Sequence, residues 1–375
     1  MRLSHRAHPV VLVPLAAVAL AGCTGTGSPS VASSSTAAPG QVSVQASDSG
    51  CALNASTAPA GVVTFDVTNT GSKVTEFYVY AEGDRILGEV ENIGPGLSRQ
   101  LKVEVTEPAT LTAACKPGMV GDGIRSAFAI TGSAVAGNAN DKVATAIASY
   151  KKYVTAQAAE LVSGTTAFVA AVKANDVVTA KALYPSARAP WERIEPVAES
   201  FGDLDPKIDG REDVVNEGMA FTGYHRLEKD LWVDGLQPNS SSIADQLLAD
   251  VSSVAQQAAT ADITGLSIAT GAKALLDEVA TGKVTGEEER YSHTDLWDFD
   301  GNVQGSQAAL AALRPLLQER DPALLTTLDT TFGDLNKLLA THRQGTGYVR
   351  YTDLTPDQVK ALTVALDAVS EPVSR

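Results

Sequence analysis

His225 and Glu228 stand three residues apart in Phe221-Thr222-Gly223-Tyr224-His225-Arg226-Leu227-Glu228-Lys229-Asp230-Leu231-Trp232, a stretch with helical patterning. On an α-helix such residues share a face about one turn apart, so an imidazole nitrogen and a carboxylate can converge on one cation. The same spacing also suits a plain surface hydrogen bond, and alone it does not choose between the two. A second constellation lies roughly thirty residues upstream, where Glu192, Glu195 and Glu199 follow helical spacing and share a face. From 192 to 213 eight acids (Glu192, Glu195, Glu199, Asp203, Asp205, Asp209, Glu212, Asp213) meet three bases (Arg193, Lys207, Arg211). Such an excess is either a solvated acidic face or a set of oxygen ligands that a cation neutralises.

Three runs of residues carry a likeness to known proteins. They are Trp191-Glu192-Arg193-Ile194-Glu195-Pro196-Val197-Ala198-Glu199-Ser200-Phe201-Gly202-Asp203-Leu204-Asp205-Pro206-Lys207-Ile208-Asp209, then Gly223 to Trp232, then Tyr291-Ser292-His293-Thr294-Asp295-Leu296-Trp297-Asp298-Phe299. Together they resemble the helical domain of the imelysin-like (M75 peptidase) family, and within it the iron-uptake lipoproteins of the Efe type. The resemblance implies a metal site built from His225, Glu228, Glu192, Glu195 and Asp209, with Asp295 brought in by the third run, and His293 and Asp298 beside it. It implies delivery of iron to a membrane iron permease, with a haem-containing peroxidase as third component. A donor set so rich in oxygen suits iron, and Fe(III) in particular, better than structural zinc or copper. The family name also suggests a zinc metallopeptidase using His225 and Glu228 as a ligand pair. The chain has no H-E-x-x-H, and a catalytic zinc needs a third ligand, an open position and a base. A third reading, an adhesion module carrying a helical bundle, leaves the acids unexplained.

These residues need elements to hold them, and the chain divides accordingly. Residues 1–22 read as an export signal, with Arg2 and Arg6 ahead of an apolar Val10 to Ala21 too short to span a bilayer. Leu20-Ala21-Gly22-Cys23 resembles a lipobox, which predicts lipidation of Cys23 and a lipid-anchored protein on the extracytoplasmic face of the cell membrane. Removing the leader leaves the chain two units more negative than its −15. That charge disfavours nucleic acid and anionic lipid as partners and suits cations. Residues 23–40 are a flexible tether of Ser, Thr, Ala, Gly and Pro.

Over 41–132 the pattern has period two, with Val63/Phe65/Val67 and Leu101/Val103/Val105 alternating with polar residues. About seven strands are predicted, at 41–46, 62–69, 74–81, 85–92, 97–105, 109–115 and 125–131, making a small β-sandwich. Cys115-Lys116-Pro117-Gly118-Met119 resembles the metal-binding loop of cupredoxins, but Met119 stands where that loop has His, and no His lies in the domain. A blue-copper centre of two His and a thiolate is thereby excluded. Two readings remain for Cys51 and Cys115. They form a disulfide, or they join Glu76, with Met119 adding a thioether, in the soft or mixed site for copper or iron that the family resemblance implies.

Over 141–375 helical patterning dominates, with segments at 141–174, 176–201, 211–233, 241–261, 265–281, 302–319, 322–343 and 356–371. Pro190 and Gly202 bracket one of them, Ser240 to Ser242 offer caps, and Asp321-Pro322 and Thr355-Pro356 open the last two. Eight helices predict two antiparallel four-helix bundles behind the cupredoxin-like sandwich. Glu287-Glu288-Glu289 reads as a solvated run. His342 reads as a complement to a helix C-terminus, and 343–352 as a loop without legible chemistry.

Overall fold

A computed structural model describes residues 40–133, 141–217, 219–281 and 283–374. The export leader, Cys23 with its expected lipid, and all of the tether but Gly40 lie outside the described residues, as do most of the expected linker and the side chains of Glu199 and Asp203.

Nine strands form the first region, and all seven predicted ones are among them. One sheet runs β2 (Gly50–Leu53), β1 (Gln41–Ser47), β4 (Gly61–Asn69), β7 (Ser98–Val105). The other runs β3 (Thr57–Pro59), β9 (Ile124–Thr131), β8 (Ala109–Pro117), β5 (Thr75–Tyr80), β6 (Ile86–Ile93). β2 and β3 escaped the pattern reading because strands of four and three residues are too short to show a period. Pairing of Val63 with Val103 and of Phe65 with Leu101 keeps both apolar sets on the inner face, where a slip of one residue would turn them to solvent. Phe65 sits at the centre, its ring 5.3 Å from those of Phe77 and Phe128.

Cys51 and Cys115 lie in that core and are joined, with Cα atoms 5.5 Å apart. The soft site of Cys51, Glu76, Cys115 and Met119 is therefore not formed, for two physical reasons. The sulfurs are spent on each other, and Glu76, paired with Lys116, lies on the opposite face of its sheet from Cys115, which is paired with Phe77. Met119 is half-buried in the turn after β8, in the left-handed region at φ 58°. Thiol titration of the unfolded, non-reduced first domain, made without Cys23, is expected to find no free thiol. Reduction is expected to cost about 2–4 kcal/mol in denaturant unfolding; two free thiols would contradict the crosslink.

The rest is helical, in two bundles with separate cores, apart from a short hairpin of Arg343–Gln344 with Gly347–Tyr348 inside the stretch expected as a loop. The first is built from α1 (Asp141–Lys173), α2 (Val177–Ile194), α4 (Gly223–Lys229) and α5 (Ser240–Ala258) around Tyr150, Leu161, Phe168, Tyr184, Trp191 and Tyr224. The second is built from α6 (Gly265–Thr281), α7 (Asp295–Arg320), α8 (Pro322–Ala340) and α9 (Pro356–Val373) around Leu276, Phe299, Phe332, Leu335 and Leu366. The one-turn α3 (Asp205–Ile208) lies between α2 and α4. Asp321 caps α8 by accepting from Leu324 N, and Thr355 with Gln358 forms a reciprocal capping box on α9. Ser240 caps nothing in the expected way, since its hydroxyl donates to Asp230 at 2.5 Å. Nor do Pro190 and Gly202 bracket a helix. α2 runs through Pro185 and Pro190 to Ile194 and continues as a 3-10 stretch, Glu195–Leu204. The segment expected at 211–233 is interrupted likewise: a 3-10 turn, Glu212–Glu217, precedes α4, and a five-residue π turn, Asp230–Asp234, follows it. Such π turns recur near functional sites. Among the described residues no helix is long and apolar enough to cross a membrane.

Candidate functional site

Close backbone approaches bring the chemistry together. Gly223 opens α4 at φ 75°, and a Cβ there would lie 2.3 Å from the carbonyl oxygen of Ile208. The chain at 208–209 therefore rests on the start of α4 and puts Asp209 beside His225. Tyr224 anchors the same turn, its ring packed on Tyr184 and its hydroxyl 2.6 Å from Thr165 Oγ1 and 3.2 Å from the Ala187 carbonyl. On the other side, a Cβ at Gly301 would meet that of Glu192 at 2.6 Å, so α7 lies against α2 and carries Asp298 and Asn302 to its buried face.

His225 is 2 % exposed and each ring nitrogen faces carboxylates. Nδ1 lies 3.3 Å from Glu228, and Nε2 lies 3.5 Å from Asp209 and 3.6 Å from Glu288. Two sets of donor atoms, each within 4.8 Å of one another, follow: Asp209, His225 and Glu288 on one side, His225, Glu228 and Glu289 on the other. The ligands are themselves held. Glu228 Oε1 accepts from the backbone N–H of Tyr291 at 3.0 Å and of Ser292 at 2.7 Å. Glu289 accepts from Ser292 Oγ at 2.7 Å and Tyr184 Oη at 3.3 Å, while its own N–H donates to Asp295 at 3.1 Å.

Among the described residues three cations from the chain reach this cluster, Arg188, Lys283 and, 3.1 Å from Glu288, Arg211. The Arg188 guanidinium is fully buried and faces six groups: Nη1 at 2.8 Å from Asp209, 3.0 Å from Glu289 and 2.9 Å from His225 Nε2, Nε at 3.1 Å from Asp298, and Nη2 on Glu192 and 3.8 Å from Glu288. Lys283 lies 2.8 Å from Glu192 and 2.9 Å from Glu195, and Asn302 donates to the same two carboxylates at 2.8 and 2.6 Å.

The carboxylates divide by protonation. Burial raises Glu289 well above the usual range, and the charge of Glu228 adds to the effect, so Glu289 carries a proton and donates it to Glu228. Burial would raise Glu228 too, but hydrogen bonds from His225, Glu289 and Ser292 hold it down. Burial likewise raises Asp209, Asp295 and Asp298. Burial opposes the charged form of Glu288, yet the charge of Lys283, the bond to His225 and Arg211 keep it well below its ordinary value. For His225, burial and Arg188 push the imidazole down, while Glu228, Glu288 and Asp209 overcome them and lift it to about 10. The contact of Arg188 with Nε2 pulls the other way, because at 2.9 Å only a bare nitrogen can accept. That contact at Nε2 and the carboxylates around the ring thus oppose one another, while Nδ1 faces Glu228.

Several expectations are redrawn here. Glu192 and Glu195 lie apart from both donor sets around His225, because Lys283 and Asn302 bind them. Glu288 and Glu289 are no solvated run: both are buried, and only Glu287 of the three is exposed. Asp209 does meet His225. Asp295 orients Glu289 through its backbone, with Oδ2 buried and without a partner among the described residues. His293 stays out of the cluster, its N–H on the Glu289 carbonyl and its own carbonyl accepting from Tyr351 N. His342 is buried and burial lowers its pKa, so it is neutral and offers a helix end no charge. Arg188 and Lys283 were missed. Arg188 had one legible signal, its place four residues before Glu192 on α2; Lys283 comes from a distant segment with no such cue.

The profile of the imelysin (peptidase M75) family matches residues 146–375. The chain is 37% identical over 342 residues to proteins described as iron uptake system component EfeO from Escherichia coli O1:K1, E. coli K12 and Shigella flexneri, covering 89% of this chain and 90% of theirs. Among solved structures, dithionite-reduced auracyanin from Roseiflexus castenholzii aligns over 26% of this chain and all of its own at 15% identity, with a TM-score of 0.22.

Proposed function

The chain belongs to the imelysin (M75) family, and from that premise we propose that it is an iron-binding component of an iron-uptake system, acting outside the cytoplasm. It captures iron between His225 and the carboxylates of Asp209, Glu228, Glu288 and Glu289, and passes it to a membrane iron permease in a system whose third component is a haem-containing peroxidase. Lipid on Cys23 would keep it at the membrane. The observation that carries this reading is the buried convergence of one imidazole with four carboxylates on its two nitrogens. One nitrogen among so many oxygens is a harder donor set than catalytic zinc usually takes, which disfavours the zinc-peptidase reading. The sandwich keeps no cysteine thiolate for copper or iron while Cys51 and Cys115 are joined.

Capture is an exchange of protons for metal. Glu289, lifted well above the usual carboxylate range by burial, and Nδ1 of His225 give up protons when they bind through those atoms. Affinity is therefore expected to rise with pH and to fall as pH drops, since protons compete for the same oxygens. Isothermal titration of the mature chain with citrate-buffered Fe(III) and with anaerobic Fe(II), at several pH values and in buffers of different ionisation heat, tests this. Saturable binding with proton release is expected; a chain that takes up neither ion would remove the proposal.

A further inference from the structure

Arg188 Nη1 stands among the donors on the Nε2 side of His225. It lies 2.8–3.0 Å from Asp209, His225 Nε2 and Glu289, three donors drawn from both sets. Metal bonds to such atoms are about 2.0–2.2 Å long, so an ion bound to all three would lie too close to that nitrogen for both to be present. The guanidinium cannot lose its charge to make way. Nη2 is held on Glu192 one turn along α2, with Asp209 at 3.5 Å and Glu288 at 3.8 Å, and Nε is held on Asp298 of α7. Nη1 thus lies deepest among the donors, while Glu192 and Asp298 hold the fork from outside them.

Resting on the capture reading above, we propose that Arg188 is a resident counter-cation that the incoming metal displaces, so that loading exchanges one cation for another. In the empty protein Nη1 supplies the positive charge that faces Asp209, and the cluster stays folded without its cargo. On loading, Nη1 leaves Asp209, His225 and Glu289 while Nη2 and Nε stay on Glu192 and Asp298. The side chain remains beside the ion, ready to return when the metal leaves. Arg188 therefore weakens the grip of the site on iron and eases release, a useful property in a carrier that must pass its cargo on.

The test compares the wild type with Arg188→Met, which keeps much of the side-chain volume and removes the charge, and with Arg188→Lys. Gallium(III) serves as a diamagnetic stand-in for Fe(III). Arg188→Met is expected to bind Ga(III) and Fe(III) about tenfold or more tightly than the wild type, to melt at a lower temperature when empty, and to regain more on loading. Folded Arg188→Met that binds equally or more weakly would overturn the proposal, since Arg188 would then be idle or needed to position the ligands. Should Arg188→Met fail to fold empty, the side-chain Nε–H resonance of Arg188 in the ¹⁵N-labelled wild type carries the test. Ga(III) is expected to shift that resonance, and binding that leaves it unmoved would overturn the displacement alone. A wild type that binds no Ga(III) or Fe(III) removes the capture reading as well, so the two failures are distinct.

Discussion

Iron binding is expected to collapse when His225 is replaced with Ala, by about a hundredfold or more, because the imidazole is the nitrogen donor common to both carboxylate sets. Glu228→Ala is expected to be comparably severe. It removes the carboxylate that two backbone N–H groups and His225 keep ionised, and it leaves the Tyr291 and Ser292 donors without that acceptor. The telling comparison sets Glu288→Gln/Glu289→Gln against Glu192→Gln/Glu195→Gln. The first pair lines the imidazole and its loss should cost binding about as much as loss of the histidine. The second pair is held by Lys283 and Asn302, and its loss should cost far less. Titration of each variant with citrate-buffered Fe(III) reads the difference, and the opposite ranking would return the ligand role to Glu192 and Glu195.

Replacing Lys283 with Met is expected to destabilise the empty protein by about 3 kcal/mol at neutral pH, since it removes a buried cation from Glu192 and Glu195 and leaves Arg188 to hold Glu192. The pH dependence gives the signature. In the wild type, burial would raise Glu192, but Lys283 and Arg188 outweigh it and hold its pKa at about 2. A depressed carboxylate contributes stability that is present above its unfolded pKa and is lost as pH falls from the mid-fours through about 2. With Lys283 gone, Arg188 is left to oppose burial and the folded pKa of Glu192 moves upward, so the stability that its ionisation contributes above the unfolded pKa shrinks. Thermal melts from pH 3 to 8 are expected to show the variant recovering toward the wild type on acidification. A constant gap across that range would show that Lys283 acts through packing alone.

Much of this architecture was legible because it rests on local pattern. Period two in Val63 to Val67 and Leu101 to Val105 located the sandwich strands, and Asp321-Pro322 and Thr355-Pro356 marked real helix starts. His225, Glu228 and Asp209 were found by spacing and family likeness, and they do meet. The misses have a common cause, which is that charge and spacing do not reveal depth. Glu288 and Glu289 look like a solvated run until the segment before α7 is seen to fold inward, where Tyr184, Ser292 and Arg211 receive them. The acid excess over 192–213 asked for a cation, and the chain supplies two of its own, Arg188 within the same helix and Lys283 from far along the sequence. The cysteines stayed open because only tertiary placement shows Glu76 on the opposite face of the sheet from Cys115.

The most direct measurement is an anomalous-difference map collected at the iron absorption edge from crystals of the iron-loaded mature protein. A peak is expected within bonding distance of His225 and of carboxylate oxygens from Asp209, Glu228, Glu288 or Glu289, with the Arg188 side chain turned off Asp209. A peak bound instead by Glu192 and Glu195, in the sandwich, or only at surface acids would contradict the site.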